Sequence, residues 1–497
     1  MRAAIAALLL AFLTAAGAAA LAQISPEARH AWGFDRSDLT PDPAVRFGVL
    51  ANGMRFAILR NAVPAGAVSI RMRVAVGTTA GAPGEAHYLE HMAFMGSRRV
   101  PEGALARLSG REGLAVGRDF NAHTGYSDTL YRIDLPRPDR AQFDRTILLM
   151  REIASELSLT SDGVERARAA VLDEARERAG PEDALERDQI LFFMPGTAVA
   201  RGVLTGSERD VASVQADGLR RLYARYYSPE RTALILVGDA DPEWIEARIR
   251  AHFADWRARD PVADPPPDRI DPARATAMRI FHGPRLSTWA TIASITPRDE
   301  GGDSAARRNR DFLQSLAADM LAARITGYRG DDRPFMEAEA LVQDYYATSR
   351  IASLRVRSID RDWQAAVEVA EQTLRGALLH GFSQAELDAH LGFEAERLAT
   401  LAAPQSSAEL ANRIMAMLAG GIVVTAPGRP EDSAAYLARI RLDDVNAALR
   451  ASWSAPGRLV HLSHHRPIEG GAARLAEIWA ASARRATDIG TLSTRRR

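Results

Sequence analysis

The feature that most restricts the fold of this chain is a break near its middle, at residues 257–274. Asp260-Pro261 and the proline run 265–267 end any helix or strand there, because proline fixes φ and lacks a backbone N–H. On both sides of the break the hydrophobic pattern follows one plan, with strands first and helices after them. A chain of 497 residues is also too long for one ordinary core. The sequence therefore predicts an α+β protein of two similar domains, each an antiparallel-rich sheet covered by helices.

The predicted boundaries follow the hydrophobic pattern and the residues that form turns. Two apolar stretches around the turn dipeptide Asn52-Gly53 indicate a β-hairpin at the start of the first domain. In chain order we predict an extended N-terminal arm at 23–42, a first domain at 43–256, a linker at 257–274, a second domain at 275–470 and a C-terminal tail at 471–497.

The first 22 residues form a separate segment. A basic start at Arg2, an apolar run at 3–20 and the small-residue pattern Ala20-Leu21-Ala22 are typical of a cleaved secretory signal peptide. The alternative interpretation of this segment is an N-terminal membrane anchor. We expect export to an oxidising compartment, for which a bacterial periplasm fits best.

Charge and cysteine content exclude several classes of function. The 63 basic and 63 acidic residues give a net charge of zero, which leaves no electrostatic basis for binding nucleic acid or an anionic membrane. The chain has no cysteine, so disulfides and thiol catalysis are excluded. We therefore expect no nucleic-acid partner. No segment after the first 22 residues is long and apolar enough to span a bilayer, so we also expect no stable membrane insertion.

The pattern that carries chemistry is His87-Tyr88-Leu89-Glu90-His91. On a helix, His87 and His91 stand one turn apart on the same face, so both imidazoles can reach one metal ion. Glu90 lies beside them and can contact a metal-bound water without being a ligand. A catalytic zinc site needs one further His, Asp or Glu from elsewhere and an open position for water. The alternative interpretation is a pair of surface histidines on an amphipathic helix.

The context of this pattern resembles the pitrilysin family, which includes insulin-degrading enzyme and mitochondrial processing peptidase. The run 84–97 reads GEAHYLEHMAFMGS and the run 119–124 reads DFNAHT. Further matching segments follow in order, at 128–131, 134–136, 226–231 and 237–239. The resemblance covers about residues 46–256 and identifies 43–256 as a zinc-binding catalytic domain. Residues 276–470 resemble, more faintly, the second and non-catalytic domain of that family.

The resemblance also implies the third zinc ligand, a glutamate on a downstream helix. The run 164–174, VERARAAVLDE, matches the family context and places that ligand at Glu174. Asp173 and Glu177 are the alternatives, and a solvated acidic face is the ordinary interpretation for most acidic residues of this region, Glu182 included. The family's second glutamate, two turns before the ligand, is replaced by Ala167.

Other residues near these segments have predicted roles of different kinds. By resemblance, Asn121 and Ala122 lie on an edge strand that holds an extended substrate through main-chain hydrogen bonds. Ordinary strand and turn structure is their alternative interpretation. We expect His123 to be a strand histidine with no metal role. We expect His464 and His465 to lie in a loop or at a strand end.

The function implied is a zinc-dependent endopeptidase that hydrolyses unfolded peptides or small proteins through a zinc-activated water, with Glu90 as general base and one zinc per chain. In this family two halves close around a chamber like a clamshell, and this chain resembles the half with the metal. The family's supporting Arg and Tyr motif is not evident in the second domain, where Tyr345 and Tyr346 lack its surroundings. We therefore expect a peptide substrate and either a homodimer or a second pitrilysin-like half or subunit.

Two other functions compete with this one. The first is a catalytically weak or inactive subunit that binds peptides or acts as a scaffold for a partner half; Ala167 and the half-length of the chain favour it. The second is a metal store or a structural zinc site. A base beside two histidines has no purpose in such a site, and structural zinc usually has four protein ligands.

Overall fold

The computed structural model of the chain describes residues 24–103, 114–115, 117–177, 179–203, 206–263, 268–327, 335–359, 362–401, 404–427 and 430–487. The predicted signal peptide, residues 1–22, lies outside the described residues. The described part contains two sheets, each packed between helices. This confirms the predicted α+β architecture of two similar, helix-covered sheets. None of the helices in the described residues combines the length and hydropathy needed to cross a membrane.

The first sheet has six strands in the order β1-β2-β6-β3-β5-β4, which leaves β1 and β4 at its edges. Only the β2–β6 pair is parallel. The strands are β1 (Val45–Val49), β2 (Arg55–Arg60), β3 (Val68–Val74), β4 (Phe120–Thr124), β5 (Thr129–Leu135) and β6 (Thr232–Gly238). The helices of this part are α1 (Pro26–Trp32), α2 (Glu85–Met92), α3 (Arg140–Ser155), α4 (Ser161–Glu177), α5 (Pro181–Phe193), α6 (Ala198–Gly202), α7 (Glu208–Ser213), α8 (Ala216–Tyr226) and α9 (Pro242–Phe253).

The second sheet has five strands in the order β7-β11-β8-β10-β9, and only the β7–β11 pair is parallel. The strands are β7 (Ala277–His282), β8 (Thr288–Pro297), β9 (Phe335–Tyr345), β10 (Ser349–Ser358) and β11 (Leu459–His464). The helices are α10 (Ala305–Thr326), α11 (Trp363–His380), α12 (Gln384–Leu401), α13 (Ser407–Ala419), α14 (Pro430–Leu437), α15 (Leu442–Ser452) and α16 (Gly471–Ala483). Apart from β1, each strand of the first sheet has a counterpart here at the same place in the order.

Alternating side chains give each sheet two apolar faces. In the first sheet Leu234 and Leu236 of β6 join the main core under α2, α3 and α4, whereas Ile235 and Val237 face the other side. The second sheet is built in the same way: Ala290 and Ile292 of β8 join the core under α10 and α11, while Ala293 and Ile295 face away from it.

The two domains cover each other's second face by exchanging one helix. Helix α13, from the second half of the chain, packs its Ile414 and Met415 on the outer face of the first sheet. Helix α5, from the first half, packs Ile190 and Phe193 on the outer face of the second sheet. Because each sheet obtains part of its core from the other domain, the two domains stabilise each other.

Local residue choice explains where elements begin and end. Gly53 has φ 91°, the left-handed conformation that the turn after Asn52 requires, and this turn joins β1 to β2 as predicted. The Asn52 side chain donates to the Phe253 carbonyl, 2.7 Å away, which ties the hairpin to the end of α9. Asp139 caps α3 by accepting from the Gln142 N–H.

Two expectations about the ends of the chain are wrong. The extended arm expected at 23–42 contains α1, because Ser25 caps a helix that begins with proline. The tail expected from residue 471 contains α16, whose Leu475 and Ile478 belong to the second core. The apolar spacing within 471–483 is helical, and the sheet-facing side of α16 is buried against β7 and α11. The second domain thus extends beyond the expected limit of residue 470.

Candidate metal centre

Helix α2 presents its histidines at the edge of the first sheet. Gly84 precedes the helix with φ 84°, and the chain then turns into α2 after a glycine-rich loop. Tyr88, Leu89 and Met92 are fully buried, so the apolar face of this short helix is fixed in the core. The opposite face carries His87 and His91, which are one turn apart and partly exposed.

Helix α4 brings Glu174 to the same place. Nε2 of His91 lies 3.2 Å from Nε2 of His87 and 2.9 Å from Oε2 of Glu174. The remaining separation, His87 Nε2 to Glu174 Oε2, is 3.4 Å. Three donor atoms from residues up to 87 positions apart therefore converge on one point; no other group of three such residues does so within the described part of the chain.

These separations fit one zinc ion. Ligands bound about 2.1 Å from a tetrahedral ion lie about 3.4 Å from one another, close to all three observed values. Two imidazoles and one carboxylate are also ligands that zinc prefers, and three protein ligands leave one position open. The donor set is thus one that could hold a catalytic rather than a structural ion.

Glu90 stands beside the three donors without joining them. Its residue is 8% exposed, and its Oε2 accepts a hydrogen bond of 2.6 Å from the hydroxyl of Thr124, the last residue of β4. Glu90 follows His87 by three residues on α2, so the two side chains are neighbours on the helix surface. Thr124 lies within a run that the sequence singled out, but its contact with Glu90 was not predicted.

Two buried tyrosines lie near Glu90 on the core side. The hydroxyl oxygens of Tyr131 and Tyr227 are 2.7 Å apart, and both residues are buried. Burial raises the pKa of both phenols, and the negative charge of Glu90 raises each pKa further. Both hydroxyls therefore stay protonated around neutral pH, and the floor of the site is polar but uncharged. Both residues lie within segments that match the family, at 128–131 and 226–231, but the sequence assigned neither of them a role.

Arg168 fixes α4 in position. Its guanidinium donates to the carbonyls of Val211 and Val214 at the end of α7, at 2.7 Å and 2.9 Å. It also lies over the ring of Tyr88, 5.7 Å from its centroid, and so connects α4 to α2. Ala167, next to it, stands where the family has its second glutamate, and its methyl group is buried in the main core.

The alternative ligands lie elsewhere. Asp173 is exposed and pairs with Arg176 at 2.9 Å, and Glu177 is exposed. Glu182 is exposed at the start of α5. His123 is exposed on β4, where alternation directs its side chain to the face opposite that of Thr124. The assignment of Glu174, rather than these residues, as third ligand remains a prediction that the geometry favours.

Asn121 and Ala122 lie on β4, at the free edge of the first sheet among the described residues. The backbone N–H of Ala122 donates to the side chain of Asn121, at 2.9 Å. An extended peptide added at this edge would exchange that contact for a main-chain hydrogen bond.

Of the two tyrosines of the second domain considered from the sequence, Tyr346 contacts the first domain. The hydroxyl of Tyr346 donates to Glu186 of α5, at 3.0 Å, and its ring contacts Tyr126 with the centroids 4.5 Å apart. Tyr126 belongs to the β4–β5 turn, and Tyr346 to the β9–β10 turn. The two corresponding turns of the two domains thus contact each other.

Two family models match this chain. The model of insulinase (peptidase family M16) matches residues 57–190, and the model of the M16 inactive domain matches residues 213–391. The two matches reach from within β2 to β10, so β1 and β11 lie outside them. Strand β6 falls within the second match but pairs with β2 and β3 of the first sheet. The chain belongs to peptidase family M16. The predicted resemblance to the pitrilysin family is confirmed.

One curated relative is similar to this chain over most of its length. A probable zinc protease PqqL from Haemophilus influenzae is 21% identical over 465 residues, which are 89% of this chain and 48% of that protein. The chain thus spans about half the length of this relative.

Solved structures give the same picture of the fold. The first half of the periplasmic protease PqqL from Escherichia coli has a TM-score of 0.79 at 19% identity, covering 91% of this chain and 99% of that one. The longer PqqL structure from the same organism has a TM-score of 0.78 at 20% identity, and covers 91% of this chain but 51% of that one. At these identities the likeness establishes the fold alone.

Proposed function

We propose that this chain is the metal-carrying half of an M16 zinc endopeptidase, which hydrolyses unfolded peptides or small proteins with Glu90 as general base. The observation that carries the proposal is the convergence of the donor atoms of His87, His91 and Glu174 beside a carboxylate that is not among them. A purely structural site has no use for that additional base.

The residues of the site have different roles in the proposed hydrolysis. His87, His91 and Glu174 would hold one zinc ion per chain. When bound there, zinc lowers the pKa of a coordinated water towards neutrality and polarises the scissile carbonyl. Glu90 takes a proton from the attacking water and transfers it to the nitrogen of the leaving amine. Tyr131 and Tyr227, protonated beneath Glu90, add no competing charge to the site.

Substrate would bind as an added strand on β4. Main-chain hydrogen bonds at Asn121 and Ala122 give affinity with little dependence on substrate sequence, because every peptide offers the same backbone groups. Such binding requires an extended segment, so unfolded chains and flexible regions of small proteins are the proposed substrates.

We further propose that full activity needs a second M16 half, either another copy of this chain or a different subunit. Tyr346, considered from the sequence as a supporting group, donates its hydroxyl to Glu186 and packs its ring against Tyr126. The similarity to one half of a longer protease supports the same idea. Export to the periplasm is part of the proposal, supported by the pattern at 1–22 and by the similarity to the periplasmic protease PqqL from Escherichia coli.

A second candidate function is a peptide-binding subunit with little or no activity of its own. The observation that favours it is Ala167, which leaves the acidic group of the family's second glutamate missing from α4. Zinc would still bind to such a subunit, because the three donors are complete.

The test is to measure bound zinc and peptide cleavage for the wild type and for Glu90→Gln, with Glu182→Gln, an exposed glutamate of α5, as control. We expect one zinc per chain in all three proteins and cleavage lost by at least about a thousandfold in Glu90→Gln only. Equal activity in wild type and Glu90→Gln, or no zinc in either, would contradict the peptidase function. Zinc without cleavage, even in the assembled form, would favour the binding subunit.

The same preparations test the need for a partner when their mass is measured by light scattering. We expect the active species to be a dimer or a complex with a second half. A monomer that cleaves peptides at the rate of complete enzymes would show that no partner is required.

A further inference from the structure

Thr124 is the one residue of β4 whose side chain is hydrogen bonded to α2 in the described part of the structure. Its Oγ1 donates to Oε2 of Glu90 at 2.6 Å, a short distance that is typical of a hydroxyl bonded to a charged carboxylate. We propose that Thr124 is a positioning residue, which fixes the general base and couples its orientation to the strand that holds the substrate. This inference rests on the proposed peptidase function.

The first step of the argument is that a general base needs a fixed orientation. A glutamate carboxylate rotates about its last side-chain bond between two equivalent forms, and the barrier to this rotation is low. Thr124 occupies Oε2, so Oε1 is the oxygen left to take and release the proton. Reacting groups held within a few tenths of an ångström of the productive position gain rate without any change in substrate affinity.

The second step is that Thr124 is itself held firmly. The turn that follows it is closed by a hydrogen bond from the Gly125 N–H to the Asp128 carbonyl, at 2.8 Å. The loop before α2 is bonded to the same turn, because Thr78 N–H donates to the Gly125 carbonyl at 3.0 Å. A Cβ at Gly77 would lie 2.2 Å from the Gly125 oxygen, so the two backbones meet at a distance that only glycine allows.

The third step is the direction of the side chains along β4. Phe120, Ala122 and Thr124 alternate onto one face, and Phe120 and Ala122 pack against the core that contains α2. Thr124 therefore points towards α2 because of its register in the strand. A shift of β4 when a peptide pairs at its free edge would move the hydroxyl and, through it, the carboxylate of Glu90.

The experiment compares Thr124→Val, which keeps the shape but removes the hydroxyl, with Thr124→Ser, which keeps the hydroxyl. For Thr124→Val we expect kcat to fall about ten- to a hundredfold, the effect of one hydrogen bond to a charged group, with KM changed by less than about threefold. Thr124→Ser should recover kcat to within about threefold of the wild type. Zinc content should be the same in both variants and in the wild type, because Thr124 contacts no zinc donor.

Ser127→Ala is the matched control, since it removes an exposed hydroxyl from the same β-hairpin. A kcat for Thr124→Val within twofold of the wild type would overturn the inference. So would a loss that resides wholly in KM, which would assign Thr124 to substrate binding, or an equal loss in Thr124→Ser, which would assign it to packing. The proposed function fails separately, if the wild type and Glu90→Gln are equally active.

Discussion

The two sheets of this molecule have corresponding strand orders. The two domains differ most in one helix, which follows β3 in the first domain and the corresponding strand β8 in the second. In the first domain this helix is α2, with eight residues, and it packs against the edge strand β4. In the second domain it is α10, with 22 residues, packed along the edge strand β9. The same scaffold thus places a helix beside the edge strand in both domains.

The two helices differ in whether they carry side chains that could bind a metal ion. Helix α2 carries His87, Glu90 and His91, and the neighbouring α4 supplies Glu174. At the corresponding pair of helices in the second domain, α10 and α12, charged side chains such as Asp319 and Glu394 interact, and α10 has no histidine. The comparison shows that the fold supplies a position at the sheet edge, while the local sequence decides whether metal chemistry can occur there.

The largest effect, on zinc affinity and peptide cleavage, is expected from changing Glu174, the third donor. Glu174→Gln keeps the shape of the side chain but removes the negative charge that His87 and His91 lack. We expect zinc affinity to fall at least about a hundredfold and peptide cleavage to fall with it, because amides are poor zinc ligands. Zinc titration with a competing chelator measures the change.

Asp173→Asn and Glu177→Gln are the matched controls on α4, since both side chains are exposed and outside the donor cluster. Both should bind zinc as the wild type does. Unchanged affinity in Glu174→Gln, together with a loss in either control, would move the ligand along α4 and remove the proposed contrast between the two helix pairs.

A smaller effect is expected where the domains exchange helices. Asp188 of α5 pairs with Arg279 of β7 and lies 3.0 Å from Nε2 of the buried His461 of β11. Burial lowers the pKa of His461, while the hydrogen bonds from His461 and Arg279 keep the pKa of Asp188 low despite its own burial. Asp188→Asn should therefore reduce the free energy of unfolding by about 2–3 kcal/mol, because Arg279 loses its ionic partner and the buried His461 loses a charged hydrogen-bond partner.

Urea denaturation measures this change, and Asn412→Ala in the other exchanged helix provides the comparison. Asn412 of α13 accepts from the buried Arg71 at 2.7 Å, but Arg71 keeps its ion pair with Asp134. The expected loss is accordingly only about 1 kcal/mol. Equal losses in the free energy of unfolding for Asn412→Ala and Asp188→Asn would contradict this comparison. They would show that the polar contact of α13 with the first sheet stabilises the protein as much as the polar contact of α5 with the second sheet.

Local signals in the sequence predicted much of the fold and two of the three candidate donors, His87 and His91. The spacing of His87 and His91 requires a helix for both to reach one ion, and α2 is that helix. The dipeptide Asn52-Gly53 predicted its hairpin because only certain residues adopt positive φ. Glu174 came from the family context, since no local pattern distinguishes it from Asp173.

The remaining features depend on contacts between distant segments. The exchange of α5 and α13 leaves no local signal, because an amphipathic helix shows that it has an apolar face but not which sheet covers it. Helix α16 was missed for a similar reason: its short apolar face was assigned to a tail, although it completes the second core. The contact of Thr124 with Glu90 joins residues 34 positions apart and depends on the exact register of β4.

The smallest effect is expected at α10 and α12, the helices of the second domain that correspond to α2 and α4. Partial burial of the carboxyl group and the negative charge of Glu394 raise the pKa of Asp319 to about 6, although Arg397 opposes the shift and the residue as a whole is exposed. The pKa of Asp319 is thus higher in the folded than in the unfolded chain, so this group contributes most to stability below about pH 4. That contribution declines as pH rises through about 6, because ionised Asp319 is disfavoured in the folded state. Solvent reaches the Asp319 residue, so we expect a change of less than about 1 kcal/mol in the free energy of unfolding.

Asp319→Asn should remove this part of the pH dependence in urea denaturation between pH 4.5 and 7. Asp388→Asn, which changes an exposed carboxylate on α12, should keep it. If Asp319→Asn followed the wild type at every pH, the carboxyl groups of α10 and α12 would not interact, and this helix pair would have no charged counterpart of the donor cluster.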